Sequence, residues 1–162
     1  MKTEMDAVPF QRLIDDHATV VAAYLRGMLR PADAEDALQE TFMAALRAYD
    51  RFDSRNPRAW LLTIARNKAI DSSRAEGRRP GWLPEPDEIA GPEAPPDHRE
   101  VWVAVAELPP KQREAVVLRF AADLRYREIG IAMETSEAAA RRNVHEAISK
   151  LRQTKEIEEV LR

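Results

Sequence analysis

The 162-residue chain is 33% charged and 44% apolar, with five glycines, eleven prolines and no cysteine. The missing cysteines exclude disulfides, thiolate metal sites, a cysteine nucleophile and thiol redox sensing. The first ten residues hold both charge signs, and apolar runs such as 20–25 fall far short of the roughly 20 residues that span a bilayer. The expectation is a cytoplasmic protein with no membrane insertion. The net charge of −3 hides strong segregation. Residues 1–50 carry five basic and nine acidic side chains, 51–79 eight and three, 80–110 one and seven, 111–152 nine and six. Two basic blocks alternate with acidic ones, a pattern that fits nucleic-acid contact despite an acidic mean.

In chain order, Phe10, Leu13, Ile14, His17, Val21, Tyr24, Leu25 and Met28 recur at helical spacing and predict a first helix over 9–29, stopped by Pro31. Asp33 is a good N-cap for a second helix, with Leu38, Phe42, Ala45, Leu46 and Tyr49 on its inner face. After a polar loop, Asn56-Pro57 opens a third helix, proline falling at the first helical position where its missing N–H is harmless. Trp60, Leu61, Ile64, Ala65 and Ile70 form its inner side, and Gly77 and Pro80 end it. Residues 80–97 hold six prolines, two glycines and five acids, the composition of an extended, flexible linker. Helical spacing resumes at Val101, Trp102, Val105 and Leu108. Pro109-Pro110 then starts a helix carrying Ala115, Val116, Leu118, Arg119 and Phe120. No segment reads as a strand. The expected fold is all-α: two small helical domains, 1–79 and 98–162, joined by the Pro-rich acidic linker 80–97.

The last two predicted helices, 126–133 and 136–152, are separated by a turn at Glu134-Thr135. Two helices so closely joined, the second basic, have the geometry of a helix-turn-helix, in which the first braces the second for the major groove. Ser136 caps the second, and Ala140, Val144, Ile148 and Leu151 face the core. The opposite face presents Ala138, Ala139, Arg142, His145, Glu146 and Ser149. Arg142 can donate twice to guanine, Glu146 can accept from a cytosine amino group, and the alanines permit close approach to a thymine methyl. Arg141, Lys150 and Arg152 lie toward the flanks and suit phosphates. A solvated amphipathic helix is the plainer reading of the same pattern.

Longer motifs carry a resemblance. Leu108-Pro-Pro-Lys-Gln-Arg-Glu-Ala-Val-Val-Leu-Arg119, then Leu124-x-Tyr126-x-Glu128-Ile129 and a closing Lys150-Leu151-Arg152, resemble sigma region 4. Asp33-Ala-Glu-Asp-Ala-Leu-Gln-Glu-Thr-Phe42 resembles region 2.2. Arg51-Phe-Asp53 with Arg58-Ala-Trp-Leu-Leu-Thr-Ile-Ala-Arg-Asn67 and Asp71 resembles regions 2.3 and 2.4. Two such modules alone, in this order, resemble the extracytoplasmic-function (ECF) group of sigma factors. The resemblance covers about two-thirds of the residues.

The resemblance implies an alternative sigma factor that binds core RNA polymerase and directs promoter-specific initiation. Region 2 would bind the β′ clamp helices through Glu35, Asp36, Leu38, Gln39, Glu40 and Phe42, acceptors around apolar anchors suited to an arginine-rich partner. It would recognise and melt the −10 element through Arg51, Asp53, Arg55, Arg58, Arg66, Asn67, Lys68 and Arg74. Asn67 is the first candidate for base contact, because its amide both donates and accepts; Trp60 and Phe52 fit packing better than base stacking. Region 4 would sit on the β flap and read the −35 element through Ser136, Ala138, Ala139, Arg141, Arg142, His145, Glu146 and Ser149. An anti-sigma factor is a further partner that the resemblance admits. The chain departs from the family pattern at Glu134, where glycine is common; a position needing φ > 0 would load glutamate with roughly 1 kcal/mol of strain. Ala139-Ala140 also stands where a Thr-Val pair is common.

No phosphate-cradling loop or nucleophile–base pair stands out, and His17, His98 and His145 are too scattered for a metal site. No catalytic residue, cofactor or metal is expected, and the chain is not read as an enzyme. Two other readings remain at this stage: a sigma-like adaptor that binds an anti-sigma factor instead of promoter DNA, and a stand-alone helix-turn-helix regulator.

Overall fold

The structure, a computed structural model, describes residues 4–52, 55–75 and 99–153, with side chains over 9–52, 55–72 and 101–153. Among these residues there are helices and no strand. They are α1 (Glu4–Met28), α2 (Pro31–Ala48), α3 (Pro57–Ala75), α4 (Arg99–Ala106), α5 (Pro110–Val116), α6 (Tyr126–Ala132) and α7 (Glu137–Gln153). A 3₁₀ turn, Tyr49–Arg51, extends α2, and a π-helical turn, Val117–Ala121, extends α5. The sequence-based linker 80–97, the predicted end of α3 and the last nine residues lie outside the described residues.

In the first module α1, α2 and α3 pack on one another. Val21, Leu25, Leu61, Leu62 and Ala65 are fully buried there. Burying a leucine is worth about 1.5–3 kcal/mol, so this interior carries the module's stability. Pro31 does more than its sequence suggests. It holds Arg30 extended, so α1 cannot run on, and it also opens α2 as the first helical residue. Asp33 then falls in the first turn, where its charge complements the helix dipole without capping. At α3 the reading is correct in detail: Asn56 Oδ1 accepts from the Ala59 amide at 3.1 Å, capping the helix that Pro57 starts.

The inner face of α2 is finer-grained than its large residues indicate. Ala34, Ala37, Thr41 and Ala45 are buried; Leu38 and Phe42 are half-buried, and Leu46 is 55% exposed. Small residues let α1 and α3 approach closely, and this rotates the large side chains outward. Phe10, Tyr49, Phe52 and Trp60 form a row of aromatic contacts, the last pair stacked at 4.7 Å, so Phe52 and Trp60 are packing residues.

The second module wraps α4, α5 and α6 around α7. Ala115, Leu118, Leu124, Ile129 and Val144 fill its interior. Phe120 is 62% exposed, because the π turn inserts an extra residue and shifts the helical phase. The modules touch: α1 and α3 meet the π turn and α6.

Candidate nucleic-acid interface

The helix-turn-helix is built by close backbone approach. At Gly130 an added Cβ would stand 2.9 Å from the Thr135 carbonyl oxygen, so α6 needs a residue without a side chain there. The Thr135 amide donates to the Gly130 carbonyl at 2.8 Å and locks the turn. Glu134 adopts φ 55°, the left-handed region, so the strain anticipated at this position is present. Ser136 Oγ accepts from the Ala139 amide at 3.1 Å and caps α7.

Ala140, Val144, Ala147 and Leu151 face the core of α7; Ala147 takes the place expected for Ile148, which is half-buried. Ala138, Arg141, Arg142, His145, Glu146 and Ser149 are exposed and Ala139 is half-buried, so the expected reading face is assembled on one side of the helix. Three members have neighbours: the His145 ring meets the Tyr126 ring edge-on, with centroids 6.2 Å apart. Arg141 lies 5.1 Å from the Tyr126 ring centre and 3.4 Å from Glu137, and Glu146 accepts from Gln112 Nε2 at 3.1 Å. Arg142 has no such neighbour among the described contacts and projects from the middle of the face.

On the first module, Asn67 is exposed on α3 and Lys68 half-buried beside it; Arg51 and Arg55 are exposed at the preceding loop. Asp53 and the Arg74 side chain lie outside the described residues. Arg58 and Arg66 point toward the second module. Arg66 Nε donates to Glu114 Oε1 at 2.5 Å, with only 18% and 11% of the two side chains exposed. Arg58 stands 4.0 Å from Asp123.

Glu35, Asp36, Gln39 and Glu40 are all exposed along α2. The sequence reading missed Met43, 60% exposed, and assigned Leu46 inward. At 100° per residue both share the outer face with Asp36 and Gln39, giving the acceptors an apolar strip. The alanines at 34, 37 and 45 were the available signal, since they mark the opposite face.

This pair of modules fits known proteins closely. Residues 13–79 match Sigma-70 region 2 and residues 98–151 match Sigma-70 region 4. The chain is 34% identical over 152 residues to the RNA polymerase sigma factor CarQ of Myxococcus xanthus, covering 89% of this chain and 87% of that one. It is 36% identical over 169 residues to the ECF RNA polymerase sigma factor ShbA of Streptomyces griseus, covering 92% and 88%. The structure of CnrH in complex with the cytosolic domain of CnrY superposes with a TM-score of 0.68 at 29% identity, over 87% of this chain and 83% of that one. The sigma factor RpoE of Bartonella quintana, solved with the anti-sigma factor NepR, shares the fold with a TM-score of 0.76 at 24% identity, over 90% and 95%.

The chain belongs to the extracytoplasmic-function family of RNA polymerase sigma factors, alternative sigma factors that direct transcription initiation. That family is not a family of enzymes. Among the described residues no helix is long and apolar enough to cross a membrane, and no group of His, Asp or Glu could hold a metal ion.

Proposed function

We propose that this chain binds core RNA polymerase through the outer face of α2, opens the −10 element with the 51–74 segment and reads the −35 element with α7. The observation that carries the reading is the two-sidedness of α7: a fully buried stripe from Ala140 to Leu151, opposite an exposed face centred on Arg142 and His145. An arginine on such a face can discriminate a base pair by about 1–3 kcal/mol. The acids of α2, with Met43 and Leu46, offer a cationic, partly apolar helix both acceptors and anchors. That face distinguishes a polymerase-dependent factor from a stand-alone regulator.

On this reading residues 1–79 form the polymerase-binding and melting domain, 80–97 the tether and 98–162 the −35 domain. The protein works in the cytoplasm with polymerase and performs no reaction of its own. An anti-sigma factor is a proposed further partner, supported by the complexes in which the relatives CnrH and RpoE were solved.

Reconstitution with core polymerase on a promoter library tests the proposal. Start sites that depend on the protein, and core that co-purifies with it, are expected; neither appearing would sink it. Asn67→Ala should slow opening about tenfold with duplex binding intact, since captured bases are worth roughly 1–3 kcal/mol each. Arg142→Ala should weaken −35 binding by about tenfold. Equal loss of both steps in each variant contradicts the division of labour.

A further inference from the structure

Two helices packed on α7 hold members of its reading face. From α6, the Tyr126 ring lies 5.1 Å from the Arg141 guanidinium and meets His145 edge-on at 6.2 Å. From α5, Gln112 donates from Nε2 to Glu146 Oε2 at 3.1 Å, 34 positions away in the chain. Gln112 is only 9% exposed, whereas Glu146 is exposed. A carboxylate only accepts, so the amide nitrogen must be the atom that faces Glu146. The amide oxygen is left on the other branch, where it is buried with no hydrogen-bond partner among the described residues. A buried acceptor without a donor destabilises a fold, and an apolar side chain of the same size would not. The interior therefore gains nothing from an amide at this position; the gain lies at Glu146.

Two acid–base pairs on α7 show what this hold does. Glu137 and Arg141 stand four residues apart and pair at 3.4 Å. Arg142 and Glu146 have the same spacing in the reverse, weaker order, which still brings the two side chains within reach on a helix surface. They do not pair. Glu146 is engaged with Gln112, and Arg142 carries no ion pair among the described residues. A pair between them would tie the donors assigned to guanine to the acceptor assigned to cytosine, and neither would reach a base. Held to α5 through Oε2, Glu146 keeps Oε1 for a cytosine amino group and leaves the Arg142 fork open.

We propose that Gln112 is a positioning residue for promoter recognition: from α5, without touching DNA, it holds the Glu146 carboxylate away from Arg142, so that the two read separate base pairs. This rests on the reading that α7 faces the −35 duplex, and it adds a residue that sets selectivity from inside the module.

A promoter library randomised over the −35 element, transcribed by core polymerase with the full chain and then sequenced, gives the preference at each base pair. Arg142→Ala should erase a guanine preference and Glu146→Ala a cytosine preference. Gln112→Met, unbranched and without a donor, should weaken both by about tenfold, within what one base contact discriminates. Its melting temperature should be no lower than the wild type's, because the unpaired acceptor is gone. Gln112→Leu is the second variant, and helical circular dichroism with a cooperative melt verifies folding of each. The decisive chain combines Gln112→Met with Glu146→Ala. With no carboxylate left to capture Arg142, its guanine preference should return to the wild-type value. A residue that only filled the core would weaken every position alike, and removing Glu146 would rescue nothing. Base preferences unchanged in both Gln112 variants, or a guanine preference that stays weak in the double variant, overturn the proposal. Arg142→Ala separates this failure from that of the underlying reading. If it leaves every −35 preference intact, α7 does not read the element and both fall; if it erases a preference that Gln112→Met spares, only the positioning is wrong.

Discussion

The interior of each module and the seam between them are both buried, yet they are made of different chemistry. Inside the first module Val21, Leu25, Leu61 and Leu62 are fully buried; between the modules Arg66, Arg113, Glu114 and Tyr24 are hydrogen-bonded beside apolar residues of one continuous core. Apolar burial holds because separation exposes surface that water rejects. Charged burial is close to balanced, because separation restores hydration. The contrast can be tested by substitution.

The largest effect belongs to the interior. Leu61→Ala removes a fully buried side chain and should cost about 3 kcal/mol, measured by urea unfolding. The seam should respond differently. Glu114→Ala strands Arg66 and Tyr24 and should cost about 2 kcal/mol, below the usual loss for a buried pair because the Arg66 side chain keeps 18% exposure. Replacing both ions, Arg66→Met with Glu114→Leu, should return stability to within about 1 kcal/mol of wild type. If the double variant instead stays as unstable as Glu114→Ala, the ion pair itself holds the modules together.

Acidity should separate the two regions by sign. Burial raises the Glu114 carboxyl above the ordinary value of 4.5, outweighing Arg66 and the hydrogen bonds from Arg66 and Tyr24. Burial also lowers Arg113 to about 10 and raises Tyr24 well above 10, so of these three groups Glu114 is the one that titrates on the acid side. The packed modules therefore hold the Glu114 proton more tightly than separated ones. Its contribution to packing is complete below 4.5 and fades as pH rises through the raised value. His17, inside the first module, is lowered below 6.5, chiefly by burial and then by Arg58. Its contribution is present above 6.5 and is lost as pH falls through the lowered value. Falling pH should thus favour the packed modules through Glu114, in full by 4.5, while His17 lowers the first module's own melting temperature as pH drops below 6.5. Glu114→Gln should abolish the first change and spare the second.

The sequence made one region legible and left the other dark, for a physical reason. Helix starts at Pro57 and Ser136, and the buried stripe of α7, follow from rules acting over three or four residues. Errors arose where a local signal had two uses. Pro31 can end a helix, begin one or do both, and Leu46 is a large apolar residue that α2 packing rotates outward. The seam has no local signal at all. Its pairs lie 48, 86 and 90 residues apart, and Arg66 taken alone is one more cation on a basic helix.

The smallest expected effect uses two residues with the same backbone and different neighbours. Glu134 and Asp123 have φ of 55° and 53°, where a side chain crowds the following carbonyl. Glycine relieves that crowding but widens the unfolded ensemble, so each substitution should stabilise by at most about 1 kcal/mol. Glu134 lies in the helix-turn-helix turn and is exposed. Asp123 stands 4.0 Å from Arg58 and 3.9 Å from Arg119. Glu134→Gly should raise the melting temperature by a few degrees, about what 1 kcal/mol gives in a chain this size. Asp123→Gly should give the same backbone relief and lose an exposed ion pair worth at most about 1 kcal/mol, so its gain should be smaller. If the two gains are equal, Asp123 is a strained turn residue only, and its ion pairs add nothing.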